Sequence, residues 1–470
     1  MNTRFPRAVL AFVAAAIHPA IAAAQPTNTG GGERPDLSAL RDEVRALRAE
    51  LEQQRAASPP VAPAPAQDTP KPLGSEAYWP WVVPPEGISI GAYLQSQYES
   101  HEDSQDQLQQ GGIPLNQDRF SIRRMRVNLT GEWQYAATSI ELDANTTSGP
   151  QVDLRKAEAS LQYRPDRRRP PILMATLGLF DIPFGYELVE SPRTRWFMER
   201  SVASRAWFPA EPDLGVRLAG ALGFFRWTIA AQNGEPLGEK SPFVLQDPNK
   251  GKDVVFRFGF DTPLGNDTQL AGEVSALRGQ GFHPGTDATT SSIQWHDVNE
   301  DGVIQPYELT PIPGSAAAPS QNFDRWAVGA DARMHYRWWP GVLKIYAEVA
   351  LAQNLDRGLY VADPIVTSID QREFAFYAAA IQEVTRWGVV GLRYDYYDPN
   401  FDAFDKRGGK LIPFSEAITT ISPLVGLVLP DRARLLLQYD VIRNALARDA
   451  TGVPTTLKDN TFTLRLQVQL

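Results

Sequence analysis

The chain has 470 residues, no cysteine and a formal net charge of -9. The missing thiols exclude a disulfide framework, a thiolate metal site and a cysteine nucleophile, and the acidic balance disfavours nucleic acid as a partner. A mean hydropathy of -0.30 is that of a soluble chain, and it is equally what a membrane protein shows when each of its strands wets one face.

At the start, Arg4 and Arg7 precede an apolar run over 8–24 that closes in Ala22-Ala23-Ala24, the pattern of a secretory signal over residues 1–24. Leu37, Leu40, Val44, Leu47 and Leu51 then recur at steps of three and four. Glu43 and Glu50 fall at g positions and Arg48 and Arg55 at e positions, so residues 25–57 are expected to hold a short periplasmic helix able to form a parallel coiled coil. A solvated amphipathic helix is the alternative, because so few heptads are marginal alone. Residues 58–86 open with the proline-rich run from Ser58 to Pro72 and read as an extended spacer. No later run reaches the ~18 apolar residues of a spanning helix, so any membrane embedding falls to strands.

From Gly87 onward the apolar period changes to two. Sixteen candidate strands are expected near 88–99, 119–132, 135–146, 153–164, 172–180, 213–222, 224–233, 252–261, 267–277, 323–336, 342–353, 373–382, 384–398, 414–429, 431–443 and 460–470. The last is the clearest, since Phe462, Leu464, Leu466, Val468 and Leu470 alternate with Thr463, Arg465, Gln467 and Gln469. In 325–335, Trp326, Val328, Ala330, Ala332 and Met334 alternate with Arg325, Gly329, Asp331, Arg333 and His335. Short and long connections also alternate along the chain, the longest spanning 278–322. The expected fold is therefore all-β, a 16-stranded antiparallel transmembrane β-barrel over 87–470 with a hydrated lumen. The compartment is the outer membrane of a Gram-negative bacterium, with outer-membrane lipid outside and small ions and solutes within.

Gly178-Leu179-Phe180-Asp181-Ile182-Pro183-Phe184-Gly185-Tyr186-Glu187, then Glu199-Arg200-Ser201, Asp213-Leu214-Gly215-Val216-Arg217 and Asn233-Gly234, together resemble the phosphate-selective porin O/P family. The Arg123-Arg124-Met125-Arg126 strand and the coiled-coil prefix are similar to that family too. The resemblance implies a homotrimeric outer-membrane porin whose long loop after the fifth strand, roughly Asp181 to Pro212, folds into the lumen. It also implies an arginine-lined path for anions such as phosphate. By position that path would use Arg193, Arg195, Arg200 and Arg205 in the loop, with Arg124, Arg126 and Arg217 on the wall. Trp196, Phe197, Trp207 and Phe208 could pin the loop to the inner wall.

Acids outnumber arginines in this loop, and inward Glu141, Asp143, Glu158, Glu348 and Asp395 stand beside the bases. Anion preference, neutralised arginines that only keep the pore wet, and preference for cations or neutral solutes all stay open, because field sign depends on charge placement. A plugged structural or adhesive barrel is the rival reading.

Residues 297–308 match D-x-[DN]-x-[DN]-G-x5-E at every defined position. Asp297, Asn299, Asp301, the Val303 carbonyl and a bidentate Glu308 could wrap a structural Ca2+, stapling the longest loop. An acidic turn without an ion is the alternative. No nucleophile elbow, zincin helix or Walker loop is present, so no enzyme activity is expected.

Overall fold

The computed structural model describes residues 87–470 apart from 103–108, 111–112, 115–117, 148, 167–168, 210–211, 235–246, 408, 414–415, 430–432, 446, 449–453, 457–458 and 470. The expected signal, coiled-coil helix and spacer lie outside the described residues.

Sixteen strands close into one antiparallel barrel in which each pairs with its neighbours in sequence and the last pairs with the first. In chain order they are β1 (Gly87–His101), β2 (Arg119–Glu132), β3 (Ala136–Asn145), β4 (Gln151–Tyr163), β5 (Leu173–Phe180), β6 (Asp213–Leu222), β7 (Phe225–Gln232) and β8 (Asp253–Leu264). There follow β9 (Thr268–His283), β10 (Gln321–Trp338), β11 (Gly341–Gln353), β12 (Arg372–Glu383), β13 (Gly388–Asp398), β14 (Ile418–Leu429), β15 (Ala433–Asn444) and β16 (Thr461–Gln469). Closure runs from Tyr93 opposite Gln469 to His101 opposite Thr461, so the barrel has no open sheet edge to satisfy in lipid.

Alternation decides which face each side chain takes. On β16, Thr463, Arg465 and Gln467 are buried inward, while Leu466 and Val468 point outward. Leu177, Val216, Val274 and Val349 are exposed in the same way around the circumference. An apolar belt of this extent is tolerated in a bilayer and not in water. Trp133, Tyr135, Trp338, Trp339 and Trp387 are exposed where the short turns meet the strands, the level at which amphipathic rings sit.

The long connections after β5, β7, β9 and β11 all start from the end of the barrel opposite the short turns. β9 and β10 reach beyond the expected bounds of 267–277 and 323–336, pairing out to His283 opposite Gln321. Arg278 and Gln280 take the outward positions there and interrupt the apolar alternation, because the hairpin has left the lipid and no longer needs a greasy face.

Two strands break step. Between Gln95 and Ser96 the β1–β2 register shifts by one residue, placing Arg123 in a bulge. The β3–β4 register shifts between Glu141 and Leu142, placing Arg155 in a second bulge. A bulge sends two successive side chains to one face, so Arg123 and Arg124, and likewise Arg155 and Lys156, both face the lumen.

A charge on the oily face should be costly. Leu177→Arg, on a side chain 64% exposed to lipid, is expected to lower the free energy of unfolding by about 2–4 kcal/mol near mid-bilayer, read from urea unfolding in phospholipid vesicles.

Candidate functional site

After β5 the chain leaves the wall and enters the lumen over residues 181–212, carrying two short helices, α1 (Gly185–Val189) and α2 (Val202–Trp207). This is the inward loop that the family resemblance implied. Its apolar side packs Phe184, Leu188, Val202, Ala206, Trp207 and Phe208 against Val255, Leu277, Ala327, Ala350, Ala352 and Ala375 on the inner faces of β8 to β12. A second cluster joins Tyr186 and Phe197 to Tyr346, Tyr377, Ile381, Val389 and Leu424, with Tyr186 and Tyr346 edge to face at 5.1 Å. Trp196 is half-buried beneath the Arg434 guanidinium, 5.4 Å from its ring centre. The wall under the loop is rich in alanine, which gives the insertion a flat, dry bed.

Gly185 is where the loop comes closest. Its φ of +62° is left-handed, and a Cβ there would lie 2.0 Å from Glu348 Oε1. Glu348 has little room to move, because its Oε2 accepts from Tyr186 N at 2.9 Å and Tyr377 Oη at 2.9 Å. Only glycine meets both demands.

Charge fixes the loop's other side. Glu199 accepts a two-pronged pair from Arg123, at 2.8 and 2.9 Å, a third bond from Arg124 at 3.1 Å and a fourth from Arg465 at 3.0 Å. Burial works against the Glu199 charge, but Arg123, Arg124 and Arg465 outweigh it and hold the carboxyl well below its usual range. Asp181 receives Lys156 at 2.5 Å and Arg155 at 3.5 Å; burial is again outweighed and its pKa is depressed. Each bulge therefore supplies a double cation to one loop carboxylate.

Backbone groups of the loop are met from the wall as well. Arg465 donates to Met198 O at 2.7 Å, Gln467 to Arg193 O at 3.0 Å and Gln95 to Pro192 O at 3.0 Å. Gln438 accepts from Met198 N at 2.9 Å, and Asp395 from Val202 N at 2.8 Å.

The seven arginines named from sequence fall into three groups. Arg124, Arg126 and Arg217 line the wall with carboxylate partners, Arg126 meeting Glu141 and Asp143 at 2.9 Å each and Arg217 meeting Glu158 at 3.0 Å. Arg195 is buried against Glu190 at 3.7 Å and donates to the Glu187 and Glu190 carbonyls. Arg200 donates to the Glu187 and Leu188 carbonyls at the end of α1; burial and the neighbouring Arg195 and Arg155 pull its pKa well down. Arg193 and Arg205 are exposed.

Arg123, Arg155, Lys156, Arg434 and Arg465 belong to the same lining and were not singled out from sequence. A signal for the first three exists. Outward residues run Phe120, Ile122 and then Met125, Val127, and again Val152, Leu154 and then Ala157, Ala159; each slip of phase marks a bulge.

In the loop at 297–308, Gly302 takes the expected left-handed turn at φ +71° and donates to Asp297 Oδ2 at 2.8 Å. Asn299 and Asp301 accept from the Asp301 and Val303 amides. Pro306 opens a single 3-10 turn, a first-turn position where its missing N–H costs nothing. Glu308 folds back, buried, to accept from Trp295 Nε1, Val298 N and Gln305 N. Asp297 Oδ1 is buried without a hydrogen-bond partner among the described residues. The donor set thus suits a hard cation in kind, although no group of three or more His, Asp or Glu side chains is gathered for a metal among the described residues.

A closed sixteen-stranded cylinder, oily outside and charged within, defines a β-barrel protein of the outer membrane. No protein-family model matches the chain and no curated protein matches it. Among solved structures it is similar to OprB of Pseudomonas putida, at 11% identity and a TM-score of 0.49 over 82% of this chain and 94% of that one. It is similar also to an anion-selective porin from Comamonas acidovorans, at 11% identity and a TM-score of 0.49 over 81% and 98% of the two chains. The outer membrane channel DcaP of Acinetobacter baumannii aligns at 9% identity and a TM-score of 0.48 over 82% and 97%.

Because the folded-state pKa of Glu199 is depressed, its contribution is fully present above the unfolded carboxyl's pKa and is lost progressively as pH falls from there through the lowered value. Proteolysis within 181–212 is expected to be equally slow at pH 8 and pH 6. Glu199→Gln should raise cleavage there at both pH values. The substitution leaves three guanidiniums short of a counter-charge, at a cost on the order of 2 kcal/mol, below the fully buried case because Glu199 is partly wetted.

Proposed function

We propose that the protein is an outer-membrane porin in which small solutes pass beside the inward loop, and that the passage prefers anions, phosphate among them. The carrying observation is the placement of charge. Glu187, Asp331, Glu273 and Glu348 are sealed between the loop and the β9 to β13 wall together with Arg257 and Arg393. Arg123 and Lys156 keep 28% and 27% of their side-chain surface wetted, their partners Glu199 and Asp181 keep 27% and 16%, and Arg193 is exposed. A passing ion therefore meets the cations more directly than the buried acids, in a throat where low-dielectric walls strengthen the field. A guanidinium fork such as that of the exposed Arg193 matches phosphate oxygens.

A plugged barrel is the second reading, favoured by the dry core that the loop forms inside the lumen. Planar-bilayer recording separates the two: a porin gives stepwise ohmic currents and a plug gives none. In a potassium chloride gradient the reversal potential is expected to have the anion sign, and Arg123→Gln combined with Lys156→Gln should move it toward cations. Phosphate is expected to reduce chloride current, and Arg193→Ala or Arg200→Ala to weaken that block; block unchanged in both variants removes the loop arginines from the path. A trimeric assembly belongs to the same reading, tested by cross-linking in native membranes.

The 297–308 loop is assigned a structural Ca2+ on its complete register and on the unpartnered Asp297 Oδ1. Calcium is expected to slow proteolysis of 284–320 relative to chelator, and Glu308→Gln to abolish the difference. Equal cleavage of the parent in both conditions would count against the ion.

A further inference from the structure

The lipid-facing surface of β8 to β12 carries a groove of about 550 Å3 that has no part in transport through the lumen. Cross-strand register builds it row by row. Bordering it on the short-turn side, a row runs Phe260, Gly272, Ala332, Ala347, Ala378, Tyr394, in which four small residues lie between two rings. In the next row outward, Phe258 and Phe376 bound Val274, Ala330 and Val349, and beyond that Phe256 and Phe374 bound another short stretch. The rings support one another: Phe256 and Phe258 stack at 6.4 Å, and Phe374 meets Tyr396 at 6.0 Å. From β8 to β12 the walls stand four strand spacings apart, roughly 19 Å, room for several acyl chains side by side.

Charge caps this trough at its long-loop end, the outer-leaflet end. The next row carries Arg278, Trp326, Gln353 and Arg372 on the outward face. Arg278 is exposed and has no carboxylate partner among the described residues; Arg372 is held only loosely, 3.7 Å from an exposed Asp402. Asp324 stands one pair further from the bilayer. Trp326 donates to Gln353 at 3.1 Å, an interfacial ring fixed at headgroup level. A guanidinium that faces lipid at the membrane boundary needs an anion beside it, and phosphate is the anion a lipid headgroup offers.

We propose that the β8–β12 face is a docking site for a phosphorylated, multi-acylated lipid of the outer leaflet, with its acyl chains in the trough and its phosphate between Arg278 and Arg372. Native mass spectrometry of the full chain in detergent, with lipid A and with its dephosphorylated form as probes, tests this. The parent is expected to retain the phosphorylated form and to release the other. Arg278→Gln with Arg372→Gln should reduce retention roughly tenfold, and Ala330→Trp, which fills the floor without touching charge, should reduce it as well. Both changes lie on the outer surface, and heat-modifiable migration verifies the barrel in each. Equal retention of the two lipid forms by the parent, or retention unchanged in both variants, would overturn the proposal. So would efficient disulfide formation between copies of an Ala330→Cys chain in native membranes, which would show the groove covered by a second copy.

Discussion

A folded segment can sit inside a barrel only if nearly all the polar groups it buries find partners, because a buried group left unpaired is costly. The inward loop satisfies this constraint in two ways at once. Its apolar side is laid on alanine-rich strands, and its carboxylates and carbonyls face arginine, lysine and glutamine from the rest of the ring. Neither side alone would hold it. A buried acid without its cations would be expelled, and ion pairs without the dry bed would yield little in open water.

The two bulges make that balance achievable. In regular β-structure one side chain in two faces inward, so a strand offers a carboxylate one cation at a given height. Slipping the register by one residue doubles the offer at a single level, at Arg123-Arg124 for Glu199 and at Arg155-Lys156 for Asp181. Arg123 and Lys156, from these same bulges, also stay partly wetted beside the loop, so the residues that anchor the loop are among those that face the lumen.

Most of the barrel was legible in the sequence because each strand has one greasy face, and a period of two survives every substitution that keeps side chains on their own faces. β2 and β6 have the expected ends to the residue. The ends of β9 and β10 were not legible, since outside lipid nothing enforces alternation. The inward course of 181–212 came from the family resemblance and not from periodicity. Its partners could not be read at all: Glu199 and Arg465 are 266 positions apart, and only ring closure brings them together. The bulges stand between these extremes, written as phase slips at Ile122 to Met125 and Leu154 to Ala157 but visible only when parity is followed across the whole strand.

The bed of the inward loop has a consequence for how the molecule is made. Phe184, Trp207 and Phe208 rest on side chains from β8 to β13, all of which follow them in the chain. Until those later staves are in place, the crossbar has no surface to lie on. Hoop and crossbar therefore depend on each other, and the loop cannot settle before the far wall stands around it.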